Sequence, residues 1–220
     1  MKTTKLLLCI AALSAALLTT TNLKAESLTT LVGDLKYESH ALAKSSKYND
    51  GTVTADLKLV SHGARQKKAF GLVTVKVYYA ELLLAKPEAF SKEDGKIVNS
   101  LEQAGPIQLR LTMLRDIKGQ QITDSFKDAL AANDITADKY SAELKNVLQE
   151  IDNVIAFKTG EVFSIAAQFK GNSGVMMLQK PDGRVKKISG NSQFIKDMFQ
   201  IWFGKPVDDK LALLKKDLLK

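Results

Sequence analysis

The apolar patterning of this chain predicts an α+β fold, an antiparallel sheet covered on one face by a layer of helices. Three observations lead there: alternating apolar residues mark strands early in the chain, two amphipathic helical stretches interrupt them midway, and a Pro-Asp-Gly turn followed by two more helices closes it. Alternation of this kind belongs to antiparallel sheets, whereas parallel sheets read as continuous apolar runs separated by crossover helices.

Val53, Ala55, Leu57 and Leu59 alternate with Thr52, Thr54, Asp56 and Lys58, the two-residue period of a half-buried strand. Residues 61–71 carry two glycines among basic side chains and read as a turn or a strand bend. Val73, Val75, Val77 and Tyr79 then restore the alternation, running into Leu82-Leu83-Leu84, and Ile107, Leu109, Leu111 and Met113 repeat it after Pro106. Ile122, Phe126, Ala129 and Leu130 share one helical face, as do Tyr140, Leu144, Val147, Leu148 and Ile151, with Asp116 as the expected N-cap of the first helix. Phe163, Ile165, Ala167 and Phe169 form the next strand, and Pro181-Asp182-Gly183 turns a hairpin between 175–179 and 184–188. A helix carrying Phe194, Ile195, Met198, Phe199 and Trp202 ends at Gly204. A last one starts at Pro206 with Asp208 and Asp209 in its first turn, and Lys215 and Lys216 near its end suit the helix dipole.

The N-terminus reads as a secretory signal peptide over residues 1–25, with 26–220 as the folded domain. Lys2 and Lys5 precede an apolar run over 6–18, broken only by Ser14, and Leu23 and Ala25 suit cleavage after Ala25. The run is about 13 residues, short of the roughly 20 that a retained membrane anchor needs. Cleavage removes Cys9, the only cysteine, so the exported chain relies on its core and has no thiol chemistry. The implied address is the periplasm. Losing Lys2, Lys5 and Lys24 lowers the formal charge of +8 by three. With export, nucleic acid drops out as a partner and membrane contact is at most peripheral.

Familiar catalytic signatures are missing. Gly171-Asn172-Ser173-Gly174 is followed by Val175 where a nucleophile elbow needs glycine, and Gly95-Lys96 is followed by Ile97 where a P-loop needs Ser or Thr. His40 and His62 have no metal-binding spacing, so no metal and no cofactor is expected. The unusual stretch is His62-Gly63-Ala64-Arg65-Gln66-Lys67-Lys68, leading to Tyr78-Tyr79. A guanidinium and a phenol from neighbouring strands could grip a carboxylate, since Arg offers a fixed fork of donors and the hydroxyl adds another. The alternative is an Arg65 paired with a surface acid and a Tyr78 packed under a helix.

Gly63-Ala64-Arg65, Val77-Tyr78 with Leu82-Leu83-Leu84, Leu114-Arg115-Asp116, and the closing Ile201-Trp202-Phe203-Gly204-Lys205-Pro206-Val207-Asp208 resemble the chalcone isomerase-like family across roughly 50–219. The resemblance implies an open-faced β-sandwich with a ligand cleft between sheet and helices. Carried over from the catalytic plant isomerases, the cleft arginine matches Arg65. The strand threonine falls at Tyr78, the helix asparagine near Ser125, the helix tyrosine near Ile117 or Lys118, and the late threonine at Ile201. Apart from Arg65 that set is absent, so no catalytic residue is assigned. Family members that bind fatty acids are closer, because they pair the same arginine with a tyrosine where Tyr78 stands. The implied function is a non-catalytic exported protein holding a fatty acid or similar amphipathic carboxylate through Arg65 and Tyr78. Two readings stay open beside it: an intramolecular lyase of the chalcone isomerase type, and a periplasmic scaffold or partner-binding module. The oligomeric state is unspecified.

Overall fold

The computed structural model describes residues 25–69 and 73–220, so the stretch 1–25 read as a signal peptide lies, except for Ala25, outside the described residues. Eight strands form one sheet in chain order, each antiparallel to the next: β1 (Ser27–Tyr37), β2 (His40–Asn49), β3 (Thr54–Ala69), β4 (Val73–Leu84), β5 (Ile107–Met113), β6 (Val162–Lys170), β7 (Ser173–Gln179) and β8 (Val185–Asn191). A short α1 (Ile97–Ser100) precedes β5, α2 (Gly119–Ala131) and α3 (Ala142–Asp152) sit between β5 and β6, and α4 (Ser192–Phe203) and α5 (Asp209–Leu218) end the chain. The expected helix-covered antiparallel sheet is present.

Tyr78, Ala80, Leu82 and Leu84 of β4 join the main core beneath the helices, with Phe126, Leu144, Phe199, Trp202 and Leu214. Leu83 points the other way, into a smaller cluster with Tyr48, Leu57, Ala166 and Met177. Burial on both faces explains why β4 ends in an uninterrupted leucine run rather than in alternation.

That second face is covered by the hairpin of β1 and β2, which the sequence did not announce. Exposed Leu31, Val32 and Leu35 lie on β1, while Ser46 and Asp50 are buried. The hairpin tip reaches over the sheet: Tyr37 stacks on Tyr79 with ring centroids 4.1 Å apart, and the Ala43 N–H donates to Glu81 Oε1 at 2.5 Å. Arg110 pairs with the other oxygen of the same buried carboxylate. The curl of the sheet thus supplies the second layer of an open-faced sandwich.

One local expectation is narrowed and two are corrected. Of the turn or strand bend read over 61–71, the bend holds over 61–69: β3 runs as far as Ala69, paired with β4 and kinked by register shifts after Leu59 and Arg65. Its Gly63 serves close packing instead of turning: a Cβ there would lie 2.7 Å from Asp217 Cβ and 3.0 Å from Leu214 Cδ1, so glycine lets α5 lie against β3. Asp116 does not cap α2, which starts after Lys118. Its carboxylate accepts from the Thr159 N–H at 2.9 Å and pairs with Lys158 at 3.0 Å. Gly119 fixes the helix start, since a Cβ there would sit 2.3 Å from the carbonyl oxygens of Ile151 and Val154. Finally, α5 begins at Asp209, and Asp208 is its N-cap, accepting from the Leu211 N–H at 2.7 Å.

Candidate functional site

A cleft of about 210 Å³ opens between the β3–β4 hairpin and the first half of α2. Val77, Ile117, Ile122 and Phe126 make its walls apolar, Arg65 and Tyr78 line it as well, and Lys67, Lys68 and Arg115 stand at its exposed edge. Arg65 and Tyr78 are cross-strand partners in the ladder between β3 and β4. Directly opposed residues on antiparallel strands stand with Cβ atoms about 5 Å apart, so the two residues picked from the sequence share one site.

Arg65 is only 3 % exposed. A buried guanidinium needs a counter-charge and acceptors, and Asp208 supplies them: Nη1 donates to Oδ1 at 2.8 Å and Nη2 to Oδ2 at 2.6 Å, while Nη1 also donates to the Gln66 carbonyl at 2.5 Å. Partial burial works against ionisation of Asp208, but the Arg65 bonds and the Leu211 N–H outweigh it and hold the carboxyl below its ordinary range. Arginine carries five N–H donors. Three are used here, and among the described residues the Nε–H and one Nη2–H have no acceptor.

Tyr78 is 5 % exposed, and its hydroxyl oxygen accepts from Trp202 Nε1–H at 3.1 Å. Its own proton has no acceptor among the described residues. Burial pushes the phenol up to about 12, against the lowering effects of the Arg65 charge and the Trp202 bond. At ordinary pH it is therefore a neutral O–H donor, suited to holding an anion and unsuited to taking a proton as a base.

The alternative for Arg65, an ion pair with an acid, is present together with the cleft. Of the positions carried over from the plant isomerases, Ile117 and Ser125 line the cleft with Arg65 and Tyr78, Lys118 caps α2, and Ile201 is buried in α4. Sequence reasoning missed the partners. Trp202 and Asp208 both lie in the closing stretch 201–208, and each holds one of the two candidate residues. No cluster of His, Cys, Asp or Glu suited to a metal ion occurs among the described residues.

The family model described as chalcone isomerase-like matches residues 41–220. Among solved structures, the crystal structure of an Arabidopsis thaliana fatty-acid binding protein is similar with a TM-score of 0.58 and 12 % sequence identity, covering 86 % of this chain and 95 % of that one. Identity that low speaks for a shared fold. No curated protein sequence matches the chain.

Proposed function

Since this chain belongs to the chalcone isomerase-like family, we propose that it is an exported, non-catalytic member that binds a fatty acid or similar amphipathic carboxylate in the cleft beneath α2. The observation that carries this reading is the cross-strand pair of Arg65 and Tyr78 on the wall of an apolar cleft. The spare Nε–H and Nη2–H of Arg65 and the O–H of Tyr78 offer three donors to one carboxylate, and hydrogen bonds to a charged group are worth about 1.5–3 kcal/mol each. The structural neighbour that binds fatty acids supports the same ligand class. The non-catalytic reading is supported by Tyr78, Ser125, Ile117 or Lys118, and Ile201 standing where the resemblance places the threonine, asparagine, tyrosine and late threonine of the plant isomerases. The leader-like residues 1–25 support export to the periplasm, with 26–220 as the working domain.

Native mass spectrometry of the purified exported protein tests the reading. An acyl chain is expected to co-purify and to be lost in Arg65→Ala, with Tyr78→Phe as the variant that keeps the Asp208 partner. A ligand-free spectrum together with no uptake of added dodecanoate to octadecanoate would overturn it.

A further inference from the structure

The cleft is smaller than the ligand proposed for it. Its free volume of about 210 Å³ falls below the roughly 300–1,000 Å³ of pockets that enclose a drug-sized ligand. A long acyl chain held at Arg65 and Tyr78 therefore leaves many methylenes outside, and each one left in water costs about fourfold in affinity. Something apolar must cover the remainder.

The edge of the cleft shows what that cover must tolerate. Lys67, Lys68 and Arg115 are exposed on it and make no ion pair among the described residues. Asp116, the acid on the same wall, is already held by Thr159 and Lys158. Lys67 and Lys68 also border a neighbouring depression of about 280 Å³ with Asp208, Asp209 and Lys210, where Asp208 is held by Arg65 and the other two charges offset each other. Three uncompensated cations thus frame an apolar opening, and Val73 at the start of β4, on the same hairpin, is 57 % exposed.

We propose that this cationic mouth docks on an anionic lipid bilayer, whose headgroup phosphates pair with Lys67, Lys68 and Arg115 and whose hydrocarbon takes the part of the acyl chain that the cleft cannot enclose. The inference rests on the fatty-acid reading above. A bilayer is the partner that presents anions and an apolar phase side by side. Its attraction for basic side chains fades within a Debye length, about 10 Å at moderate salt, so the cations must lie at the contact itself, where β3 places Lys67 and Lys68 and the β5–α2 connection places Arg115.

Co-sedimentation of the purified protein with phosphatidylcholine vesicles, with and without phosphatidylglycerol, tests the docking. Binding is expected only to the anionic vesicles and is expected to weaken with salt. It should fall by at least on the order of a hundredfold when Lys67, Lys68 and Arg115 are all changed to Glu, since loss of each basic residue alone is worth about fivefold. A control with the same charge change, Lys44→Glu, Lys47→Glu and Lys58→Glu, lies about 30 Å away along β3 at 3.3 Å per residue and should bind nearly as wild type. The neutral set Lys67→Gln, Lys68→Gln and Arg115→Gln, with unchanged circular dichroism, guards against a folding defect. Equal binding of mouth variant and wild type, equal loss in the control, or equal binding to neutral vesicles would each overturn the docking. Uptake of a fluorescent fatty acid in vesicle-free buffer tests the ligand separately: the wild type and the Lys44→Glu, Lys47→Glu, Lys58→Glu control both keep the whole cleft lining and should take it up. A wild-type chain that sediments with anionic vesicles yet takes up no fatty acid overturns the ligand reading and not the docking.

Discussion

The Arg65 guanidinium meets the Asp208 carboxylate through two parallel bonds of 2.8 and 2.6 Å, joining β3 to the first turn of α5. The same carboxylate caps α5 through the Leu211 N–H, so one acid both neutralises the cleft arginine and anchors a helix. In Asp208→Asn the cap survives, because Asn is as good an N-cap as Asp, but Arg65 loses its counter-charge. Breaking a fully buried pair costs roughly 3–5 kcal/mol. The Asp208 side chain is 38 % exposed, so solvent screening reduces the expected loss to about 2 kcal/mol. Urea unfolding should show that loss, while fatty-acid affinity should rise severalfold because the Arg65 charge, no longer neutralised by Asp208, attracts a ligand carboxylate at its spare donors more strongly. Weaker binding in this variant would count against Arg65 as the carboxylate donor.

Acid should release the same link. Asp208 ionises below its ordinary range in the folded protein, so its contribution is complete above the unfolded value of about 3.9 and is lost as pH falls through the lowered folded value. The stability gap between wild type and Asp208→Asn, read by urea midpoints, should be constant from neutral pH down to about pH 5 and narrow below about pH 4. A gap that narrows already near pH 6 would assign it to another group.

Tyr78→Phe removes the acceptor of the Trp202 N–H and the hydroxyl donor on the cleft wall. Leaving a buried donor unpaired costs about 1–3 kcal/mol. Losing one hydrogen bond to a bound carboxylate should weaken fatty-acid binding about tenfold. Because the phenol is pushed up to about 12, wild-type affinity should show no Tyr78 titration between about pH 6 and 9, which isothermal titration calorimetry checks.

Glu81 offers a control on the opposite face of the sheet. Its buried carboxylate joins the Ala43 N–H to Arg110. Glu81→Ala leaves Arg110 buried without its charge partner and should destabilise the fold by roughly 3–5 kcal/mol. Amide hydrogen exchange of the β1–β2 hairpin should speed up most. At a temperature where the variant stays folded, fatty-acid affinity should hold, because the cleft lies on the other side of β4.

The first part of β3, strands β4 to β6 and helices α2 to α5 were legible because their apolar residues face inward with a clean period, as Leu109 and Leu111 or Leu144, Val147 and Leu148 do, and β7 and β8 were legible through the Pro-Asp-Gly turn between them. The β1–β2 hairpin was hidden because its hydrophobicity is partly inverted: Leu31, Val32 and Leu35 meet solvent while Ser46 and Asp50 are buried. Local sequence also named Arg65 and Tyr78, yet it left their partners unidentified. Asp208 lies 143 positions from Arg65 and Trp202 lies 124 from Tyr78, separations at which no local periodicity carries information. Only the folded sheet decides which acid reaches a given arginine.

The closing stretch 201–208 sets an order of assembly. Every strand pairs with its neighbour in sequence, so the sheet can zip from hairpin to hairpin at low loop-closure cost. The pairing of Arg65 with Asp208 must wait for almost the last part of the chain. A polypeptide clipped just beyond Gly204 would retain all eight strands and still lack the carboxylate that settles the arginine in the cleft wall. Completion of the cleft wall is thus the final event of folding, and loss of the C-terminal helix would strip Arg65 of its counter-charge before it dismantles the sheet.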